Sequence, residues 1–380
     1  MKTPQYRILM FSMSSYKEWG RGVRNRNYYI LNELLKRREV REVIMVEYLP
    51  LQWRKKLSAF LFVSFEIYKT SYRIIAKDYG GILYSVKDKL KVYTTYCMSG
   101  LCGRLKRLGA TDKNENETRI IWSYFPLYAN CFSELPNDII VFDAVDDWRA
   151  HPAYRKYIKV LARNYSLIAK NSDCIFTVSE HLKNHLFYDH KNTRWIPNGV
   201  DSASIDRAPL RKKKTTIGYV GTIQSRVDFD LVCFLAKSKK DKQFVFVGPV
   251  WKDAEAHRVS ACGNVIFTGP VPNNELKHYL STFDVAIIPH KINELTTSMN
   301  PMKFYEYLAA GLPVVATQKL VSDSDLLYYA KSYDEFSEAI DRALSENTED
   351  RARKRIEYAK ENSWEKRVNE MIGIIGEIKK

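Results

Sequence analysis

The chain has 380 residues, 45% of them hydrophobic and 27% charged, which is the composition of a soluble globular protein with length for two core-bearing domains. No run approaches the ~18 to 20 apolar residues that span a bilayer, and the opening M-K-T-P-Q-Y-R-I-L-M-F-S-M lacks the apolar core and cleavage site of a signal peptide, so a cytosolic location is expected. The net charge of +16 is lopsided: residues 1–200 hold 33 Lys and Arg against 19 Asp and Glu, and the rest holds 27 against 25, so the first half is expected to meet an anionic partner, nucleic acid and an anionic membrane leaflet both fitting.

Six cysteines are scattered, and only Cys97 and Cys102 lie close together, without a His or further Cys to complete a zinc set; they read as core thiols in a reducing compartment. Tyr6 to Met13 reads as a buried strand, followed by a polar loop with Trp19, Gly20 and Gly22. A helical pattern carries Tyr29, Ile30, Leu34 and Leu35, and Val43 to Leu49 returns to strand. Strand, glycine loop and helix in that order open a Rossmann-like half, although the glycines do not form the dinucleotide fingerprint G-x-G-x-x-G.

Residues 51–79 interleave Trp53, Phe60, Phe62, Phe65, Tyr68 and Tyr72 with Arg54, Lys55, Lys56, Lys69 and Arg73. On a helix this mixture suits interfacial membrane binding, and Arg104, Lys106 and Arg107 would extend the patch over residues 51–110; a core helix with a basic outer face fits the pattern equally. Arg119 to Phe125 and Asp138 to Ala144 read as two more strands, the second running into F-D-A-V-D-D-W-R-A-H-P. Asp143, Asp146 and Asp147 thus sit at the carboxyl end of a strand, where open α/β sheets collect ligands, and so many carboxylates together call for a cation or proton partner. Asp146 or Asp147 could instead cap the following helix, from about Ala153 to Lys170, and His151 reads either as a helix-start residue or as a ligand for an acceptor hydroxyl. The strand Cys174 to Val178, a helix capped by Ser179 and the segment W-I-P-N-G-V-D close this half; a linker follows through Arg211 to Lys214.

The pattern then restarts. Thr215 to Val220 is a strand running into Gly221-Thr222, Gln243 to Val247 one running into Gly248-Pro249, and Val265 to Thr268 and Asp284 to Pro289 follow, with a helix between them capped by Asn273 or Asn274. This is a second Rossmann-like domain with phosphates expected near Gly221 and Thr222; Arg226 reads as a phosphate contact or as surface. Thr297, Ser298 and Asn300 are donors available to a diphosphate or a transferred sugar. From Asn300 to Thr317 runs N-P-M-K-F-Y-E-Y-L-A-A-G-L-P-V-V-A-T: a short amphipathic helix opened by Pro301 and stopped by Gly311, then a buried strand. Lys303 and Glu306 share one helix face, where the cation can answer a diphosphate and the carboxylate can accept two ribose hydroxyls; an i,i+3 ion pair on a packing helix is the other reading. Ser363-Trp364-Glu365 opens a last helix through Ile378.

That stretch resembles the carboxylate-bearing helix of GT-B glycosyltransferases, and P-M-K-F-Y-E-Y-L-A-A-G-L-P-V-V resembles the branch of teichuronic-acid and xanthan-type polysaccharide transferases. The common family-4 pattern carries a second Glu where this chain has Ser298. The resemblance implies an α/β GT-B fold: two Rossmann-like domains facing a central cleft, residues 1–200 for the acceptor and 201–362 for the nucleotide sugar, with the last helix, 363–380, crossing back to the first domain. It further implies that Glu306 binds the donor ribose, that the loop Gly269 to Val271 lies beside the base, expected to be uracil, and that Gly20, Gly22 and Arg26 lie near the donor phosphates. It carries Asp146 over as the leading acceptor-side acid or base, with Asp143 second.

The expected activity is therefore transfer of a sugar from a nucleoside-diphosphate sugar to a lipid-linked glycan acceptor in bacterial surface polysaccharide synthesis, by a peripheral protein on the inner face of the cell membrane. Fixed positive groups can stabilise the departing diphosphate, so no metal and no cofactor is expected; Asp323-Ser324-Asp325 falls too late in the chain for a metal motif. Asp146 would be the base if configuration inverts, and the diphosphate itself would take the acceptor proton if it is retained. A non-catalytic GT-B subunit scaffolding a membrane assembly is the alternative, and nothing like a recognition helix accompanies the charge to indicate nucleic acid.

Overall fold

A computed structural model describes residues 5–20, 22–48, 65, 70, 72–204, 215–272, 275–323 and 325–378. The chain divides into two compact units, Met1–Ile196 together with Val368–Lys380, and Pro197–Arg367.

The first unit is built on a nine-stranded sheet of order β3-β4-β5-β2-β1-β6-β7-β8-β9. Its strands are β1 (Gln5–Phe11), β2 (Val40–Tyr48), β3 (Arg73–Asp78), β4 (Gly81–Lys87), β5 (Leu90–Thr95), β6 (Glu117–Ser123), β7 (Ile139–Ala144), β8 (Cys174–Thr177) and β9 (Thr193–Trp195). From β5 to β9 every pairing is parallel. A parallel sheet covered on both faces demands near-continuous apolar strands, and β7, I-I-V-F-D-A, is buried at all six positions. The antiparallel meander β3-β4-β5 differs from the sequence reading, which carried a helix through residue 79: Arg73–Asp78 is a strand whose alternate residues face solvent. The aromatic and basic residues proposed for a membrane face at 51–64, 66–69 and 71 lie outside the described residues.

In the second unit six parallel strands run in the order β12-β11-β10-β13-β14-β15. They are β10 (Thr216–Val220), β11 (Gln243–Val247), β12 (Val265–Gly269), β13 (Val285–Ile288), β14 (Val314–Ala316) and β15 (Tyr328–Tyr329). Alternate residues feed two cores: Ile217, Tyr219, Phe244, Phe246 and Ile287 join one, and Val220, Val245, Val247, Ala286 and Ile288 join the other with Phe304, Tyr307 and Leu308 of the Met302–Ala309 helix. The chain winds from β10 to β12 on one side and resumes at β13 on the other, so the carboxyl ends of β10 and β13 form the switch point where such sheets bind ligands. The Met302–Ala309 helix starts from Pro301, with φ −65°, and stops at Gly311, with φ +72°. There the Arg355 guanidinium donates to the Gly311 carbonyl at 2.9 Å. Among the described residues no helix is long and apolar enough to cross a membrane.

Gly218 lies in the middle of β10, where a Cβ would run into the Phe283 ring, itself wholly buried. Gly218→Val is expected to destabilise the protein by about 1 to 3 kcal/mol or more through overpacking, read as a lower urea midpoint; an unchanged midpoint would show that the ring can yield.

Candidate functional site

The second unit gathers an unusual set of side chains at its switch point. β10 ends where the Tyr307 hydroxyl accepts the Val220 N–H at 2.8 Å, and the chain leaves through Gly221 at φ +130°. A Cβ at Gly221 would come within 3.2 Å of Lys303 Nζ, so glycine admits the ammonium as well as the turn. Lys303, 9% exposed, donates to the Tyr219 hydroxyl at 2.6 Å and sits 3.9 Å from the centroid of that ring. Tyr219 in turn donates to the Thr222 carbonyl at 3.3 Å, and Arg226 also acts electrostatically on its phenol.

Lys303 and Glu306 do not close the ion pair that was one reading of their spacing; the lysine goes to tyrosine instead. Burial first, and the Arg226 charge second, pull the Lys303 ammonium well below the ordinary lysine value, with Glu306 opposing. Burial pushes the Glu306 carboxyl up, and Lys303 opposes that. His290, just beyond β13, is 2% exposed, and neither ring nitrogen has a hydrogen-bond partner among the described residues. Burial, then Lys303 and Arg226, lower its pKa far enough to keep the ring neutral. Its backbone is pinned by Thr317, whose hydroxyl accepts the His290 N–H at 3.1 Å and donates to the His290 carbonyl at 2.6 Å. Two cations, a neutral imidazole and a phenol thus surround the mouth of β10, with one half-buried carboxylate a helical turn away: an arrangement suited to a multiply charged anion.

Of the other residues expected here, Thr222 offers its carbonyl to Tyr219, and Val271 packs against the core. Thr297 is exposed, whereas Ser298 is buried and donates to the Leu295 carbonyl at 2.8 Å. Asn300 is engaged by Asn198, whose N–H reaches its side-chain oxygen at 2.8 Å and whose amide reaches its carbonyl at 2.5 Å. Tyr219 and His290 were missed from sequence, because a tyrosine within a strand and a histidine after one carry no local sign of the charges they face.

In the first unit the acidic cluster divides its work. Asp143 is wholly buried and takes the Arg26 Nε at 2.9 and 3.0 Å through its two oxygens. Burial pushes the Asp143 carboxyl up and Arg26 pulls it back. Arg26, 2% exposed, is therefore a partner of Asp143 and not a solvated arginine. Asp147 binds Arg149 through both carboxylate oxygens, the shortest contact 2.6 Å. Neither Asp146 nor Asp147 caps the next helix; the His151 ring does, accepting the Ala153 N–H at 3.2 Å. Asp146 is half-buried, its backbone held by the Tyr165 hydroxyl at 3.1 Å. Gly20 ends the Tyr16–Gly20 helix on the surface, and Gly22 takes the turn after it at φ +92°.

Glu47 at the end of β2 was also missed. It is 1% exposed and accepts the Tyr16 N–H, which opens that helix, and the Thr94 hydroxyl. Burial pushes its carboxyl up to about 7, against the pull of those two donors.

Residues 214–346 match the family model for glycosyl transferases group 1. A protein of Bacillus subtilis strain 168 named as a teichuronic acid biosynthesis glycosyltransferase, TuaH, is 27% identical over 324 residues, 79% of this chain and 78% of the relative. The fold is GT-B, and the chain is a transferase with a group 1 glycosyltransferase domain. The Anabaena protein HepE, solved with UDP and glucose, superposes on this transferase with a TM-score of 0.63 at 14% identity, over 97% of this chain and 98% of its own. Staphylococcus aureus TarM, solved with UDP, Fondaparinux and alpha-GlcNAc-glycerol, gives 0.61 at 12% identity, over 97% and 99%.

Arg26→Ala leaves the Asp143 carboxyl buried and unpaired, and is expected to cost about 3 to 5 kcal/mol in denaturant unfolding; a loss below about 1 kcal/mol would mean that the carboxyl is simply protonated at little cost. Glu47 gives a pH signature. Its folded-state value near 7 lies above the ordinary 4.5, so it leaves stability untouched below pH 4.5, lowers it as pH rises to about 7, and changes nothing further above that. Glu47→Gln should match the parent at pH 4 and exceed it at pH 8 by on the order of 2 kcal/mol, allowing for one weakened acceptor. Parallel stability curves for the two proteins would refute the assignment.

Proposed function

We propose that this transferase moves a sugar from a UDP-linked donor to a hydroxyl of a lipid-linked glycan in bacterial cell-surface polysaccharide synthesis, working as a peripheral protein on the cytoplasmic face of the membrane. The observation that carries the donor half is the Lys303 ammonium, buried on Tyr219 beside Gly221 and Arg226 with no carboxylate closing on it. A diphosphate supplies the negative charge that this arrangement lacks, and as the leaving group it gains charge during transfer where Lys303 and Arg226 are already fixed. Glu306, a turn further along the same helix, accepts the ribose hydroxyls, Thr222 lines the diphosphate, Val271 flanks the base, and Thr297 with the amide of Asn300 faces the transferred sugar. The UDP present with HepE and with TarM supports uracil as the base, and the name of the Bacillus relative supports a surface polysaccharide as the product.

The acceptor half rests on the loop after β7. With Asp143 committed to Arg26 and Asp147 to Arg149, Asp146 is the acid or base of this loop, and His151 and the turn of Gly20 and Gly22 guide the acceptor. Under inversion Asp146 takes the acceptor proton; under retention the departing diphosphate takes it and Asp146 positions the hydroxyl. Positive side chains suffice for the leaving group, so the proposal includes no metal.

Titration calorimetry with UDP, GDP, ADP, CMP and dTDP tests the donor site. UDP is expected to bind selectively, Lys303→Ala to weaken it by about 10- to 100-fold through the loss of a hydrogen-bonded charge, and Glu306→Ala by about tenfold. Undiminished UDP binding by Lys303→Ala would remove the diphosphate assignment, and failure of every nucleotide to bind would favour a non-catalytic role.

A further inference from the structure

The loop that holds Asp146 and His151 continues into a segment that is exposed without being polar. Pro152–Tyr157 forms a 3-10 turn and Ile158–Asn171 an α-helix. Leu161, Tyr165 and Ile168 of that helix are buried, and Asn164 donates to the Pro126 carbonyl at 2.9 Å, so the inner face is fixed to the first unit. Ile158 continues the same stripe one turn earlier, spaced three residues from Leu161, yet it is 43% exposed. Tyr157 and Val160 beside it are 38% and 47% exposed. An apolar stripe that runs out of the body of its unit, with a valine on the outer side as well, is a surface prepared for a partner.

Charge indicates the kind of partner. Between Asp147 and Asp173 the chain has six Lys and Arg and no Asp or Glu, and Arg155, Lys156, Lys159 and Arg163, which flank the three apolar residues, are all exposed. A soluble polyanion would meet the cations and leave Tyr157, Ile158 and Val160 in water; an acidic bilayer surface takes both, with cations at the headgroups and apolar side chains at the acyl boundary. We infer that residues 152–163 dock this protein on an anionic lipid bilayer. The segment is rigidly tied to the acceptor loop, because Tyr154 packs against Trp148 at 5.3 Å, Phe125 at 5.6 Å and His151 at 5.5 Å between ring centroids. Docking there holds Asp146 and His151 a few residues from the lipid surface. This deepens the lipid-linked acceptor of the proposed function and rests on that reading only for its purpose, since lipid binding is measured without any sugar nucleotide.

The test is co-sedimentation of the full chain with vesicles of phosphatidylcholine alone or with about one third phosphatidylglycerol. Binding is expected with the anionic vesicles only. Removing three charges, as Arg155→Gln, Lys156→Gln and Lys159→Gln, should weaken it on the order of a hundredfold, since each cation near such a surface contributes about a factor of five to ten. Ile158→Ser with Val160→Ser should weaken it at both low and high salt, whereas the charge variant differs from the parent chiefly at low salt. A control with Lys106→Gln and Arg107→Gln, exposed elsewhere on the unit, should change binding severalfold at most. The inference is overturned if the parent ignores anionic vesicles, if the triple variant binds undiminished, if the control loses as much, or if Ile158→Ser instead dissolves a dimer seen by sedimentation velocity. UDP titration of each variant separates these outcomes from the donor site: unchanged UDP affinity with lost vesicle binding supports docking, and joint loss in the triple variant shows general damage and counts against it.

Discussion

A lysine buried against a phenol, with no carboxylate bonded to it, is the constraint around which the second unit is arranged. Taking an ammonium out of water is unfavourable by several kcal/mol unless its protons find acceptors. Here the hydroxyl of Tyr219 and the face of its ring are what Lys303 has. The rest of the site follows from holding that contact. Tyr219 is kept in register by β10, the end of β10 is fixed by Tyr307, and the approach of the ammonium requires that Gly221 have no side chain. Arg226 and the neutral ring of His290 increase the strain, because each lowers the lysine's preference for charge or supplies no anion to offset it. A site of this kind favours whatever brings negative charge to it, and binds it more strongly than the same cations would in water.

The first unit solves the opposite problem, an excess of carboxylates after one strand. Its solution is to bind two of them in different ways. Arg26 reaches Asp143 from a helix 117 residues earlier in the chain, joining the start of that helix to the end of β7 inside the core. Arg149 clamps Asp147 locally and stiffens the loop. With these charges answered, the chemistry of the loop passes to Asp146, and His151 supplies the helix cap that a carboxylate was expected to provide. The same loop geometry therefore serves folding and leaves a role for function.

What was legible in sequence was whatever is local. The Met302–Ala309 helix could be read from Pro301, Gly311 and the spacing between them, and Lys303 and Glu306 from their shared face. The apolar strands β7, β10, β11 and β13 announced themselves because parallel strands buried on both faces leave little room for polar residues. The meander was not legible: β3 is an edge strand exposed on alternate residues, and its Arg, Ile and Lys fit a basic amphipathic helix equally well. Nor could Arg26 and Asp143 be seen as partners, since each alone looks like a candidate for ligand binding and only the sheet order brings them together. Tyr219, His290 and Glu47 share that difficulty, their importance lying in burial and in neighbours far along the chain.

The basic first half illustrates how little a charge count says until the structure has assigned it. Arg26 and Arg104 are buried and bonded inside the unit, and Arg7, Arg41 and Lys91 answer Glu42 and Glu117 across neighbouring strands. None of these is free to meet a partner, and the Arg and Lys of such pairs bring their own acids with them, so they contribute little to the field outside. What remains outward is concentrated where acids are absent, and the longest such stretch described, from Trp148 to Ser172, is also the one that leaves an isoleucine, a valine and a tyrosine in solvent. Excess charge alone would suit any anion, and exposed apolar residues alone would suit any greasy surface. Their coincidence on one rigid segment narrows the partner to a surface that is both.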